Sequence, residues 1–147
     1  MAKYLIDTNV ILRGLEVDRP MGVTARESLK RLSIQQEPLF IVPQTIYEFW
    51  NVSTCPIENN GFGFTTQETQ SIVNDIEQNF FLKLDSPDIY HQWKKLVEQY
   101  QVKGVKVHDT RLVAACLVHG LTHILTFNTR DFKRFQSITA VHPENIM

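Results

Sequence analysis

Short apolar runs alternate with longer stretches of helical periodicity along this chain. Residues 3–6 (KYLI), 39–42 (LFIV), 80–84 (FFLKL), 122–127 (THILTF) and 138–141 (ITAV) read as five strands. Runs of four to six apolar-rich residues bounded by polar or turn residues suit buried strands better than helices. Between them, residues 9–16, 22–35 and 44–53 carry the i, i+3, i+4 spacing of helices, the last with Ile46, Phe49 and Trp50 on one side. Pro43 stops the second strand and suits the first turn of the helix after it. Residues 54–64 (TCPIENNGFGF) are turn chemistry throughout. Thr65 or Thr66, with Glu68 completing a capping box, opens a helix to about residue 79, and Ser86-Pro87-Asp88 opens another to about Gln101. A loop with Gly104 leads through 105–107 to a helix over 110–119 (TRLVAACLVH), apolar on nearly every side and stopped by Gly120.

Strands alternating with helices predict an α/β sandwich with a mostly parallel sheet. At 147 residues, with no internal repeat, low-complexity tract or linker, residues 1–147 are expected to form a single domain. Hydrophobic residues make up 43% and charged residues 21%, a globular rather than disordered balance. No apolar run approaches the ~20 residues of a membrane-spanning helix, and the N-terminus lacks the form of a signal peptide, so a cytoplasmic protein is expected. The two cysteines, Cys55 and Cys116, do not form a CxxC pair, which argues against a disulfide framework or a zinc knuckle. Fifteen basic residues against 16 acidic ones, net −1, exclude binding of nucleic acid by bulk charge. Function has to come from local placement.

That directs attention to the carboxylates. In open parallel sheets the ligand site lies beyond the C-terminal strand ends, near the point where strand order reverses. Asp7 ends the first strand, Glu48 lies early in the helix after the second, Asp109 opens the apolar helix feeding the fourth, and Asp131 follows the fourth by a few residues. Parallel strands would bring all four near one sheet edge. Two carboxylates ~4 Å apart repel by about 4 kcal/mol at an effective dielectric of 20, so either their pKa values rise or a divalent cation neutralises them. An all-oxygen set favours Mg²⁺ or Mn²⁺ over zinc, and such ions commonly serve phosphate-ester chemistry. Each position has a plainer explanation as well. Asp7, Asp109 and Asp131 could each be a helix cap or turn former. Glu48 lies nearly opposite Ile46, Phe49 and Trp50, as on a solvated helix face.

Taken in order, Asp7-Thr8-Asn9 after a short first strand, Tyr47-Glu48-Phe49 in mid-chain, His108-Asp109 opening an apolar helix, and Leu125-Thr126-Phe127-Asn128-Thr129-Arg130-Asp131-Phe132 resemble the PIN domain. The chain is similar, more narrowly, to the VapC-type toxin ribonucleases of toxin–antitoxin pairs. The resemblance implies a three-layer α/β/α sandwich whose five-stranded parallel sheet has the order 3-2-1-4-5. It implies a catalytic and metal-binding set of Asp7, Glu48, Asp109 and Asp131, with Asp7 and Asp109 as direct Mg²⁺ (or Mn²⁺) ligands and Glu48 and Asp131 acting through water or a second ion. Asn9 and Asn128 match positions that orient those carboxylates. The implied activity is endonucleolytic RNA cleavage leaving a 3′-hydroxyl and a 5′-phosphate. The implied partners are an RNA substrate, a cognate antitoxin offering an arginine to the acids, and a second copy in a homodimer. The 54–64 loop and Phe127 depart from the most compact relatives.

Setting the four acids aside leaves the remainder of the chain modestly basic. Arg13, Arg111 and Arg130 are the candidate RNA contacts, with Lys103, Lys106, Lys133 and Arg134 on flanking segments. Cys116, Trp50 and Trp93 are expected to pack in the core, and Phe62, Phe64 and Trp93 are candidates for a dimer face. A phosphotransferase that begins with a strand and an aspartate would need a second aspartate where Asn9 stands, and neither GxGxxG nor GxxxxGK[ST] occurs. The remaining alternative is a non-catalytic PIN-like module that binds RNA or a partner.

Overall fold

The computed structural model describes residues 2–147. Five short strands form one parallel sheet: β1 (Tyr4–Ile6), β2 (Leu39–Ile41), β3 (Phe81–Leu82), β4 (His123–Leu125) and β5 (Thr139–Val141), in the order β3-β2-β1-β4-β5. Side chains alternate across a strand, and here the alternation splits the interior into two cores. Leu5, Phe40 and Ile124 face α5 (Pro87–Gln99) and α6 (Lys106–His119). Ile6, Ile41 and Leu125 face the other way, against α1 (Thr8–Gly14), α2 (Pro20–Ile34), α3 (Pro43–Thr54) and α4 (Thr66–Asn79). Helices thus cover both faces, as a parallel sheet requires. No helix among the described residues is long and apolar enough to cross a membrane.

The local signals worked where the chain is autonomous. Thr65 and Glu68 close a reciprocal capping box on α4, at 3.0 and 2.9 Å. Gly120 ends α6 with φ +69°, a left-handed position where a Cβ is disfavoured. Residues 112–116 of α6 are all buried, because α5, the sheet and the turn after β4 enclose that helix.

Three boundaries differ from the sequence pattern. The third strand pairs only at Phe81 and Leu82, and Phe81 stays exposed at the sheet edge. Helix α1 begins at Thr8 rather than residue 9, because Asp7 accepts from the Thr8 N–H at 2.7 Å and caps it. Helix α6 begins at Lys106, with Val105 as its N-cap, so 106–109 are already helical and Asp109 is not a cap. Packing overrides the β-branched valines there: the Trp93 indole N–H donates to the Val107 carbonyl at 2.9 Å, and the Thr110 hydroxyl donates to that of Lys106 at 2.9 Å.

Candidate active site

The C-terminal ends of β1 and β4 are neighbours, with Ile6 opposite Leu125, and the next residues of each strand carry the site. Asp7 leaves β1 and Thr126 leaves β4. The Thr126 hydroxyl donates to Asp7 Oδ2 at 2.8 Å. In turn it accepts from Asn9 Nδ2 at 3.2 Å and from the Asn128 N–H at 3.0 Å. One buried hydroxyl therefore ties Asp7 to the strand beside it. Asn9 also donates to Asp7 at 3.4 Å and accepts from the Phe127 N–H at 3.2 Å. Asn128 contributes differently from the expectation: its N–H bonds Thr126 and its carbonyl accepts from the Asp131 N–H at 3.1 Å, so the backbone, rather than the side chain, does the positioning.

Glu48 is half-buried, not on a solvated face. Its Oε1 accepts from the Thr8 hydroxyl at 2.9 Å and its Oε2 from Gln44 Nε2 at 3.3 Å. Thr8 thus holds both acids, with its N–H on Asp7 and its hydroxyl on Glu48. Asp109 lies in the first turn of α6 with no capping role. Asp131 lies inside the 3₁₀ turn Thr129–Phe132, and its Oδ1 meets the Lys106 ammonium at 2.5 Å.

The electrostatics join these positions. Burial first, and then the charges of Glu48 and Asp109, push the Asp7 carboxyl up to about 6 against the opposing donations from the Thr126 hydroxyl and the Thr8 N–H. Asp109 is also raised, first by burial, then by Asp131 and Glu48, with Lys106 pulling the other way. Asp7 thus stands in the field of Glu48 and Asp109, and Asp109 in that of Asp131 and Glu48. Cys116 packs behind them, and burial pushes its thiol up, away from reactivity.

Among the described residues, no three His, Cys, Asp or Glu side chains form a ready-made metal cage as they stand. A hexa-oxygen ion such as Mg²⁺ does not require one, since it keeps several waters and uses one or two carboxylates. Carboxylates held above their ordinary range first by burial and then by neighbouring acids, with no sulfur or imidazole donor among them, fit such an ion.

The candidate cations are placed unevenly. Arg13 pairs with Glu16 at 2.7 Å, on the α1–α2 side. Arg130 is exposed on the turn beside Asp131. Arg111 is held between Gln44 Oε1 at 3.1 Å and Asp85 at 2.9 Å, and it borders the cleft formed with Tyr47, Glu48 and His108. Thr8, Gln44, Thr126 and Asp85 escaped the sequence reading. Thr8 and Thr126 were within reach of it, inside the segments that carry Asp7 and Asp131; Gln44 and Asp85 become visible only when separate segments meet. Phe62 and Phe64, candidates for an exposed face, are half-buried and pack edge-on at 5.5 Å.

Comparison with known proteins agrees with this architecture. The toxin–antitoxin pair VapBC2 from Rickettsia felis, bound to a DNA fragment from its promoter, has a chain that superposes with TM-score 0.69 at 14% identity, covering 95% of this chain and 97% of that one. A toxin–antitoxin complex from Klebsiella pneumoniae gives TM-score 0.64 at 21% identity, covering 96% and 98%. The sarcin–ricin-loop-cleaving toxin VapC20 of Mycobacterium tuberculosis gives 0.63 at 13%, covering 90% and 95%. At these identities the likeness is one of fold. No curated protein matches the chain by sequence. The PIN domain model matches residues 4–137, from the first strand to the segment before the last, and the chain belongs to the PIN domain family.

Proposed function

We propose that this protein is a Mg²⁺- or Mn²⁺-dependent endoribonuclease and the toxin of a type II toxin–antitoxin pair. The observation that carries this reading is the placement of Asp7, held by Thr126 and Thr8 at the end of β1, within the field of Glu48 and Asp109, while Asp109 stands within that of Asp131 and Glu48. Acids that burial and neighbouring carboxylates hold above their ordinary range mark a candidate functional site, because an ion or a reaction can use them. The family and the toxin–antitoxin chains that share the fold support the same reading.

Asp7 and Asp109 would hold the ion directly, with Glu48 and Asp131 acting through water or a second ion. When bound, the ion supplies charge stabilisation at a phosphodiester and a water of lowered pKa. The chain's own part is positional. Thr126 and Asn9 fix the Asp7 carboxylate, and Thr8 and Gln44 fix both oxygens of Glu48. Arg111, which borders the Glu48 cleft, and Arg130, exposed on the turn that carries Asp131, would contact an RNA backbone; Arg13 lies farther along the α1 side. An antitoxin would close the site with a cation for the acids, and the working form would be a homodimer.

The test is cleavage of labelled RNA with Mg²⁺ or Mn²⁺ against EDTA. Metal-dependent fragments, lost in Asp7→Asn, are expected. RNA that is bound but left intact in both metals would replace this reading with a non-catalytic RNA-binding module.

A further inference from the structure

Beside the acid cluster lies a recess of about 310 Å³ lined by Ser86, Ile89, Tyr90, Trp93 and Arg111. Three observations give it chemistry. Tyr90 is 58% exposed although aromatic, and its ring lies 6.1 Å from that of Trp93 at an interplanar angle of 31°. The indole of Trp93 is locked in place by its N–H bond to the Val107 carbonyl, and the guanidinium of Arg111 is locked by Gln44 and Asp85. Those two bonds use two of the five N–H donors that a guanidinium carries. Arg111 also lines the cleft containing Glu48, so the recess and the acid site share a wall.

We propose that this recess is a nucleobase subsite of the ribonuclease, taking an unstacked base of single-stranded RNA next to the scissile phosphate. The inference rests on the nuclease reading and adds a base-binding site to it. An exposed tyrosine ring beside a fixed indole and a guanidinium can bind a base by stacking, which tolerates every base and requires it to be out of a duplex. The volume stands at the lower end of small-ligand pockets, the size for one base rather than a segment of protein. A duplex would keep its bases away from Tyr90 and Trp93.

The experiment measures binding of a fluorescein-labelled single-stranded oligoadenylate, and of the same strand with abasic sites, in EDTA at low salt so that nothing is cut. The unmodified protein should prefer the strand with bases and lose tryptophan emission on binding. Tyr90→Ala should bind the based strand about tenfold more weakly and lose most of the preference. Equal affinity and equal preference in Tyr90→Ala would overturn the subsite, even if Mg²⁺-dependent cleavage persists. A Tyr90→Ala protein that passes from dimer to monomer in sedimentation while keeping its base preference would also overturn it, making the face a protein interface. Conversely, a base preference that depends on Tyr90, in a protein that cuts no RNA with either metal, would sink the nuclease reading and leave the subsite standing.

Discussion

The Thr126 hydroxyl, one residue past β4, donates to Asp7, one residue past β1, at 2.8 Å. The two residues are 119 positions apart in the chain. This bond opposes the burial that raises Asp7, and it fixes the direction in which the carboxylate presents itself.

Thr126→Val keeps the shape and removes the donor. Asp7 should then titrate higher than about 6, so the acid limb of the pH profile for RNA cleavage should move upward. Asn9 and Asn128 lose their acceptor as well, and stability should fall by about 1–3 kcal/mol. A profile superimposable on that of the unmodified protein would mean that Thr126 does not tune Asp7.

Asp7 ties stability to pH. Its folded pKa, about 6, lies above its ordinary 3.8. The folded state therefore holds the proton more tightly, and this contribution is complete below pH 3.8 and lost as pH rises through about 6. The displacement corresponds to about 3 kcal/mol at most, less wherever water reaches the half-buried group. In EDTA, Asp7→Asn should melt higher than the unmodified protein at pH 7–8 and no higher at pH 4. Cleavage should be lost with the fold intact. A lower melting temperature at pH 8 would contradict the crowding of charge.

Adding Mg²⁺ or Mn²⁺ at pH 7–8 should raise the melting temperature of the unmodified protein, as any ligand of the native state does. The rise should vanish in Asp7→Asn and shrink in Asp109→Asn. An equal rise in all three proteins would place the ion elsewhere.

Lys106 competes with such an ion for Asp131, which its ammonium meets at 2.5 Å. Lys106→Met releases that carboxylate and removes a positive charge next to Asp109. Calorimetric titration should show Mn²⁺ bound on the order of three- to tenfold more tightly. Weaker binding would make Lys106 a support of the site instead.

Gly22 sits where α2 crosses the end of α1. A Cβ there would come within 2.1 Å of the Glu16 carbonyl oxygen and 2.7 Å of that of Arg13. Both are backbone atoms, so the helices would have to part. Gly22→Ala should cost about 1–3 kcal/mol, at about 2–4 °C of melting temperature per kcal/mol for a chain this size. An unchanged melt would show that the contact yields easily.

How much of this was legible in the sequence differs from residue to residue. Asp7 and Asp131 could be placed because they follow apolar runs, and parallel strands bring their C-terminal ends together. Asp109 was readable as an acid near the start of a buried helix. Its exact role was not, since the valines around Lys106 look strand-like until Trp93 and Thr110 bond that turn into α6. The wheel that set Glu48 opposite Phe49 was accurate, but it could not tell solvent from the Thr8 and Gln44 side chains that occupy that side.

By itself the sequence determined the alternation of strands and helices, the caps at Thr65 and Gly120, and the buried α6. These follow from side-chain periodicity and from bonds between residues a few positions apart. The tertiary structure alone decided that Thr126 holds Asp7, that Lys106 takes Asp131, and that Arg111 joins the acids to an aromatic recess. Each joins segments at least 25 residues apart, and such pairings exist only once the sheet has set its order and register.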